Sequence, residues 1–111
     1  MATGAPLGEF EIVVLMAALH LEGAAFGSAI LEEIETRTGR RVSRGSVYIT
    51  LDRLEDKGLL SSRLAEPSAA RGGRPKRLFK VTAAGIAAVR HSVSVLARMH
   101  KGLEPVLGRL G

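Results

Sequence analysis

Between residues 43 and 82 the hydrophobic period changes from that of a helix to that of strands, and no other feature limits the possible fold as much. Val47, Leu51 and Leu54 recur at i, i+4 and i+7 as one apolar stripe, with Ser46, Thr50, Arg53 and Lys57 expected on the opposite face. Ser43 is the expected N-cap of a helix over 44–57, and Gly58 follows where a left-handed residue commonly closes a helix. Beyond it, residues 59–65 and 76–82 alternate loosely between apolar and polar, separated by 66–75, which is rich in Pro, Ser, Ala and Gly. A helix, then two strands joined by a long loop, is the order of a winged helix-turn-helix. The loop and its margin carry Arg71, Arg74, Lys76 and Arg77, with Gly72 and Gly73 allowing close backbone approach and Pro75 stiffening the return. Cations gathered at a hairpin tip favour phosphate.

Charge is distributed to match. The net charge of +5 hides a division in which residues 1–39 hold one Arg against six Glu, residues 40–82 hold eleven Lys or Arg against four acids, and residues 83–111 hold four against one. Positive charge concentrated on one helix and one hairpin is the electrostatic footprint of a polyanion-binding surface. At 111 residues the chain suits one small domain with an appended helix, and with 4% aromatic residues its core must be aliphatic. The absence of cysteine excludes disulfides and thiolate metal sites and is compatible with a cytoplasmic location. The apolar run over 12–21 is about half of what a bilayer crossing needs and has no basic residues before it, so neither a membrane span nor a secretory signal is expected.

The remaining elements follow from local signals. Residues 9–21 predict a first helix, apolar almost all round, with Glu9 and Glu11 where the helix dipole favours anions. A helix so apolar needs cover on several sides, part of which a second subunit could supply. Residues 23–27 predict a turn, and 28–38 a second helix with Ile30, Leu31 and Ile34 inward and Glu32, Glu33 and Glu35 outward, ended by Gly39. Thr82 caps a last helix expected to run to about Glu104, where Pro105 should end or kink it. Its apolar residues Ile86, Val89, Val93, Leu96, Leu103, Leu107 and Leu110 step by three and four, with His100 at the polar position of the seam, a pattern that suits pairing of helices between subunits. The expected architecture is mainly α with a small β-hairpin: a winged helix-turn-helix over 1–82 and a C-terminal dimerisation helix over 83–111.

With these elements placed, the chain resembles the PadR family of bacterial transcriptional regulators, in the short form with a single C-terminal helix. The resemblance runs from Leu7 to about Arg98 and rests on Gly8-Glu9-Phe10, Gly45-Ser46-Val47-Tyr48, the run from Leu51 to Leu60, and the wing return from Gly73 to Gly85. Ile49 stands where the family most often has proline, and Leu78-Phe79 where it often has two tyrosines. The resemblance implies a homodimeric DNA-binding regulator, usually a repressor, whose C-terminal helices pair and whose DNA binding a small effector loosens.

On this reading a double-stranded operator is the partner, with the helix over 44–57 in the major groove. Ser46, Ile49, Thr50 and Arg53 are its candidates for base edges, Arg53 for a guanine and Ile49 for a thymine methyl. Ser43, Arg44 and Tyr48 are candidates for phosphate, Tyr48 equally for packing against the second helix, and Arg71, Arg74 and Lys76 for flanking backbone or minor groove. Ile86, Val89, Val93, Leu96, His100 and Leu103 are the dimerisation candidates. The alternatives are a winged-helix module for an acidic protein, or an RNA binder. No catalytic site, metal or cofactor is expected: the histidines share no face with a carboxylate at ligand spacing, and Arg71-Gly72-Gly73-Arg74 lacks the ending of a phosphate loop. Residues 83–111 contain no Phe, Tyr or Trp, which gives an aromatic effector little residue-level support.

Overall fold

Seven elements follow one another in the computed structural model, which describes residues 6–65 and 76–110. They are α1 (Glu9–His20), α2 (Gly27–Thr38), α3 (Arg44–Asp56), β1 (Leu60–Leu64), β2 (Arg77–Val81), α4 (Ala83–His100) and α5 (Glu104–Leu110). The helix boundaries lie where side-chain chemistry sets them. Ser43 Oγ accepts the Ser46 N–H at 3.0 Å and Thr82 Oγ1 accepts the Gly85 N–H at 3.0 Å, each satisfying a donor that the first turn leaves unpaired. Gly39 and Gly58, at φ 75° and 77°, make the left-handed turns that end α2 and lead out of α3.

The three first helices and the hairpin close over one aliphatic core. Val14 and Leu15 of α1, Ile30 and Ile34 of α2, and Val47, Leu51 and Leu54 of α3 meet Leu60 of β1 and Phe79 and Val81 of β2. The strands are antiparallel, with Leu60 opposite Val81, Ser62 opposite Phe79 and Leu64 opposite Arg77, so these six residues share one face, which is buried against the helices at Leu60, Phe79 and Val81 and reaches solvent at Leu64. Residues 25 and 26, expected to be only part of a turn, add a short pairing on the free edge of β2: Phe26 bridges Leu78, and the Phe79 N–H donates to the Ala25 carbonyl at 2.9 Å. Two residues are too few to carry a strand period, so pattern alone could not reveal this.

α4 leaves the hairpin under tight constraint. Thr82 Oγ1, besides capping α4, donates to the Gly58 carbonyl at 2.7 Å. A Cβ at Gly85 would collide with the Leu59 carbonyl oxygen, so only glycine lets the first turn of α4 approach this closely. The far end departs from expectation. α4 closes at His100, Gly102 turns at φ 90°, and a separate helix starts at Glu104. Pro105 therefore lies in the first turn of α5, where its missing N–H costs no bond, rather than terminating a continuous helix. Leu103, Leu107 and Leu110 do not extend the α4 stripe as one heptad series. Among the described residues no helix is long and apolar enough to cross a membrane.

Candidate nucleic-acid interface

The connection between α2 and α3 is held by side chains of α2. Glu35 Oε2 accepts the Val42 N–H at 3.0 Å, and Thr38 Oγ1 accepts the Arg40 N–H at 3.1 Å. Glu35, expected to point outward, is half-buried because it pins this turn. α3 is thereby fixed with Val47, Leu51 and Leu54 in the core and its opposite side in solvent.

At about 100° per residue, that opposite side is centred on Gly45, Ile49, Asp52 and Asp56, with Ser46 and Arg53 on its flank. Ile49 is 60% exposed, and Ser43, Arg44, Ser46 and Arg53 are exposed. Thr50, expected on the outward face, is buried instead. It is 5% exposed, since it lies only about 60° from the centre of the apolar stripe and α3 is covered over a wider arc than three residues suggested. Lys57 is likewise turned away: its Nζ donates to Glu11 Oε2 of α1 at 2.8 Å. Tyr48 is half-buried, with its ring against Gly27 at the start of α2, where a Cβ would strike the phenol. Lys76 is exposed at the foot of β2, while Arg71 and Arg74 lie outside the described residues.

Not every cation counted in residues 40–82 is available. Arg40 is engaged by Glu9 at 3.0 Å, Lys57 by Glu11, and Arg77 by Asp52 and Glu55. Among the described residues Arg41, Arg44, Arg53, Arg63, Lys76 and Lys80 carry no ion pair. Arg77 departs most from expectation. Its alternation with buried Phe79 and Val81 is the signal that places it on the inner face rather than among phosphate-directed cations. Burial would lower its pKa, but its bonds to Asp52 and Glu55 outweigh this and raise it, so it stays fully charged.

Glu11 is the buried member of the pair that ties α1 to the end of α3. Burial would raise its pKa, yet the Lys57 ammonium and the Gly8 N–H, the latter at 3.0 Å, hold it below the ordinary 4.5. A depressed carboxylate stabilises the fold above its unfolded pKa and loses that contribution as pH falls through its folded value. Glu11→Gln is therefore expected to cost about 1 kcal/mol at neutral pH. In urea titrations the two proteins should converge as pH drops below 4.5, and a gap that persists in acid would contradict this origin.

The second surface is formed by α4. Val89 packs against the core, whereas Ile86, Val93 and Leu96 are exposed, as are His100 and Leu103. His100 Nδ1 lies 3.3 Å from Glu104 Oε2 across the α4–α5 break. Between α4 and the N-terminal end of α1 runs a groove of about 1070 Å³, walled by Leu7, Ile12, Leu59, Ala84, Ala88 and Val95, with Lys57 and His91 on its margin. Val95 and Met99, absent from the expected seam, add to the exposed apolar surface. Among the described residues no cluster of His, Cys, Asp or Glu could hold a metal ion.

The Transcriptional regulator PadR-like family matches this chain over residues 15–91, from within α1 through the wing into α4. The chain belongs to this family. The PadR-like match is accompanied by a curated relative, transcriptional regulator Rv3488 of Mycobacterium tuberculosis, 40% identical over 75 residues; the match spans 65% of this chain and 65% of that protein. A PadR family transcription regulator from Clostridium difficile R20291 is 26% identical with a TM-score of 0.67, the superposition covering 86% of this chain and 97% of that one. Bacillus subtilis PadR in complex with operator DNA shares the fold at a TM-score of 0.65 and 16% identity, covering 79% of this chain and 48% of that one. The fold is thus the PadR winged helix, mostly helical with a two-stranded antiparallel hairpin.

Proposed function

We propose that this PadR-like regulator is a cytoplasmic, sequence-specific DNA-binding repressor that acts as a homodimer. The observation that carries the reading is the exposed side of α3: Ser46, Ile49 and Arg53 stand in solvent on a helix anchored from behind by α2, beside a hairpin whose margin is basic. In this reading α3 enters the major groove and those three side chains meet base edges. Ser43 and Arg44 hold phosphate at the helix N-terminus, and Lys76, with Arg71 and Arg74 of the wing loop, holds flanking backbone or minor groove. Repression follows from occupying the operator. The exposed apolar residues of α4 and the groove beside α1 support pairing with a second copy, which would set two α3 helices at half-sites about one helical turn or a multiple apart.

Selection of bound fragments from random or genomic duplex DNA is the test. Recovery of a two-fold sequence with that spacing is the expected result, and no preference over random duplex would refute the reading in favour of an acidic protein or RNA as partner. Arg53→Ala should relax discrimination at one base position by about 1–3 kcal/mol. Lys76→Ala should weaken all duplexes alike and reduce the slope of log affinity against log salt by about one.

A further inference from the structure

The side of α3 offered to a polyanion carries carboxylates. Asp52 and Asp56 lie on its outward arc, and Glu55 borders it next to the hairpin. Repulsion between these groups and phosphate would oppose docking of the helix. The structure places one cation against two of them. Arg77, on the neighbouring strand β2, sends Nη1 to Asp52 Oδ1 at 3.0 Å and Nη2 to Glu55 Oε1, while Ser62 Oγ donates to Glu55 Oε2 at 2.8 Å. The guanidinium sits 4.7 Å from the centroid of the Phe79 ring, which is fixed in the core.

We propose that Arg77 is a positioning residue for DNA binding: without touching DNA, it neutralises Asp52 and Glu55 and holds them toward the hairpin, away from the phosphates that α3 approaches. This rests on the DNA-binding reading above. Folding stability gives no sufficient reason for the Asp52 branch of the arrangement, because a pair in which that carboxylate stays 62% exposed contributes little to it. The geometry also requires arginine. A planar fork can span two carboxylates while stacking on a ring, and the point charge of lysine cannot.

The experiment compares four proteins by fluorescence anisotropy on a selected operator duplex: wild type, R77M, the triple variant R77M/D52N/E55Q, and D52N/E55Q. Methionine retains an apolar chain over Phe79 but no charge, and circular dichroism melting reports whether each protein is folded. R77M is expected to bind about tenfold more weakly near 0.1 M salt, with the deficit shrinking as salt screens the uncovered carboxylates. The triple variant should recover to within about threefold of wild type, a rescue that a purely structural role for Arg77 would not produce. D52N/E55Q, which keeps the arginine, should bind at least as tightly as wild type. R77M binding like wild type, a folded triple variant as weak as R77M, or a tenfold loss in D52N/E55Q each overturns the inference alone. A wild-type protein that binds no duplex overturns it together with the DNA-binding reading.

Discussion

Phe79→Ala is expected to lower the free energy of unfolding by about 3–5 kcal/mol, read from urea or thermal denaturation. For a domain whose total stability is on the order of 5–15 kcal/mol, this brings the protein close to its unfolding threshold. Phe79 is 1% exposed and the largest fully buried side chain. It stands where β2, α1 and the 25–26 segment converge, and its N–H is held by the Ala25 carbonyl. Truncation opens a cavity that three helices and a hairpin cannot fill without moving, and removes the ring beneath Arg77. A loss below about 1 kcal/mol would mean that the surroundings collapse around the gap, which the rigid hairpin register argues against.

The double substitution of Val93 and Leu96 by Asp is expected to give a monomer in sedimentation analysis and to weaken operator binding by about 10²–10⁴-fold. That range is what is lost when two linked half-site contacts become independent. Val93 and Leu96 are 45% and 62% exposed, so their replacement removes little packing within the chain and the melting temperature of the isolated subunit should barely change. Facing a second apolar helix, two carboxylates would be buried without partners. A variant that remains dimeric would show that subunits pair through another surface and would remove α4 from the proposed mechanism.

Much of this molecule is legible from local chemistry. Ser43, Thr82, Gly39 and Gly58 each set a helix end within a few residues of their own position, so residue type alone locates the start of α3, the start of α4 and the ends of α2 and α3. Non-local features were less accessible. Thr50 is polar and next to the apolar stripe, and only the placement of neighbouring elements decides that it is buried. Gly102 and Pro105 announced a break, but its position depends on which of the two ends the helix; the glycine does, and the proline begins another. Charge counting makes Arg77 one of several wing cations, whereas the register of β2, in which Arg77, Phe79 and Val81 alternate, places it on the inner face. Net charge says how many cations a segment holds, and register says which of them remain available.

The pairing of residues 25 and 26 with β2 also bears on how the chain reaches this state. α1 packs on α2 and α2 on α3 as neighbours along the sequence, but Phe79 must find Ala25 across about half the chain. Closing so large a loop costs entropy that is recovered when the hairpin seats on the helices, so this contact is expected to form on the late side of the folding barrier. Interactions formed after the transition state govern the unfolding rate, so weakening the small edge pairing of Ala25 and Phe26 is expected to speed loss of the hairpin from the helices more than it slows assembly of the helices.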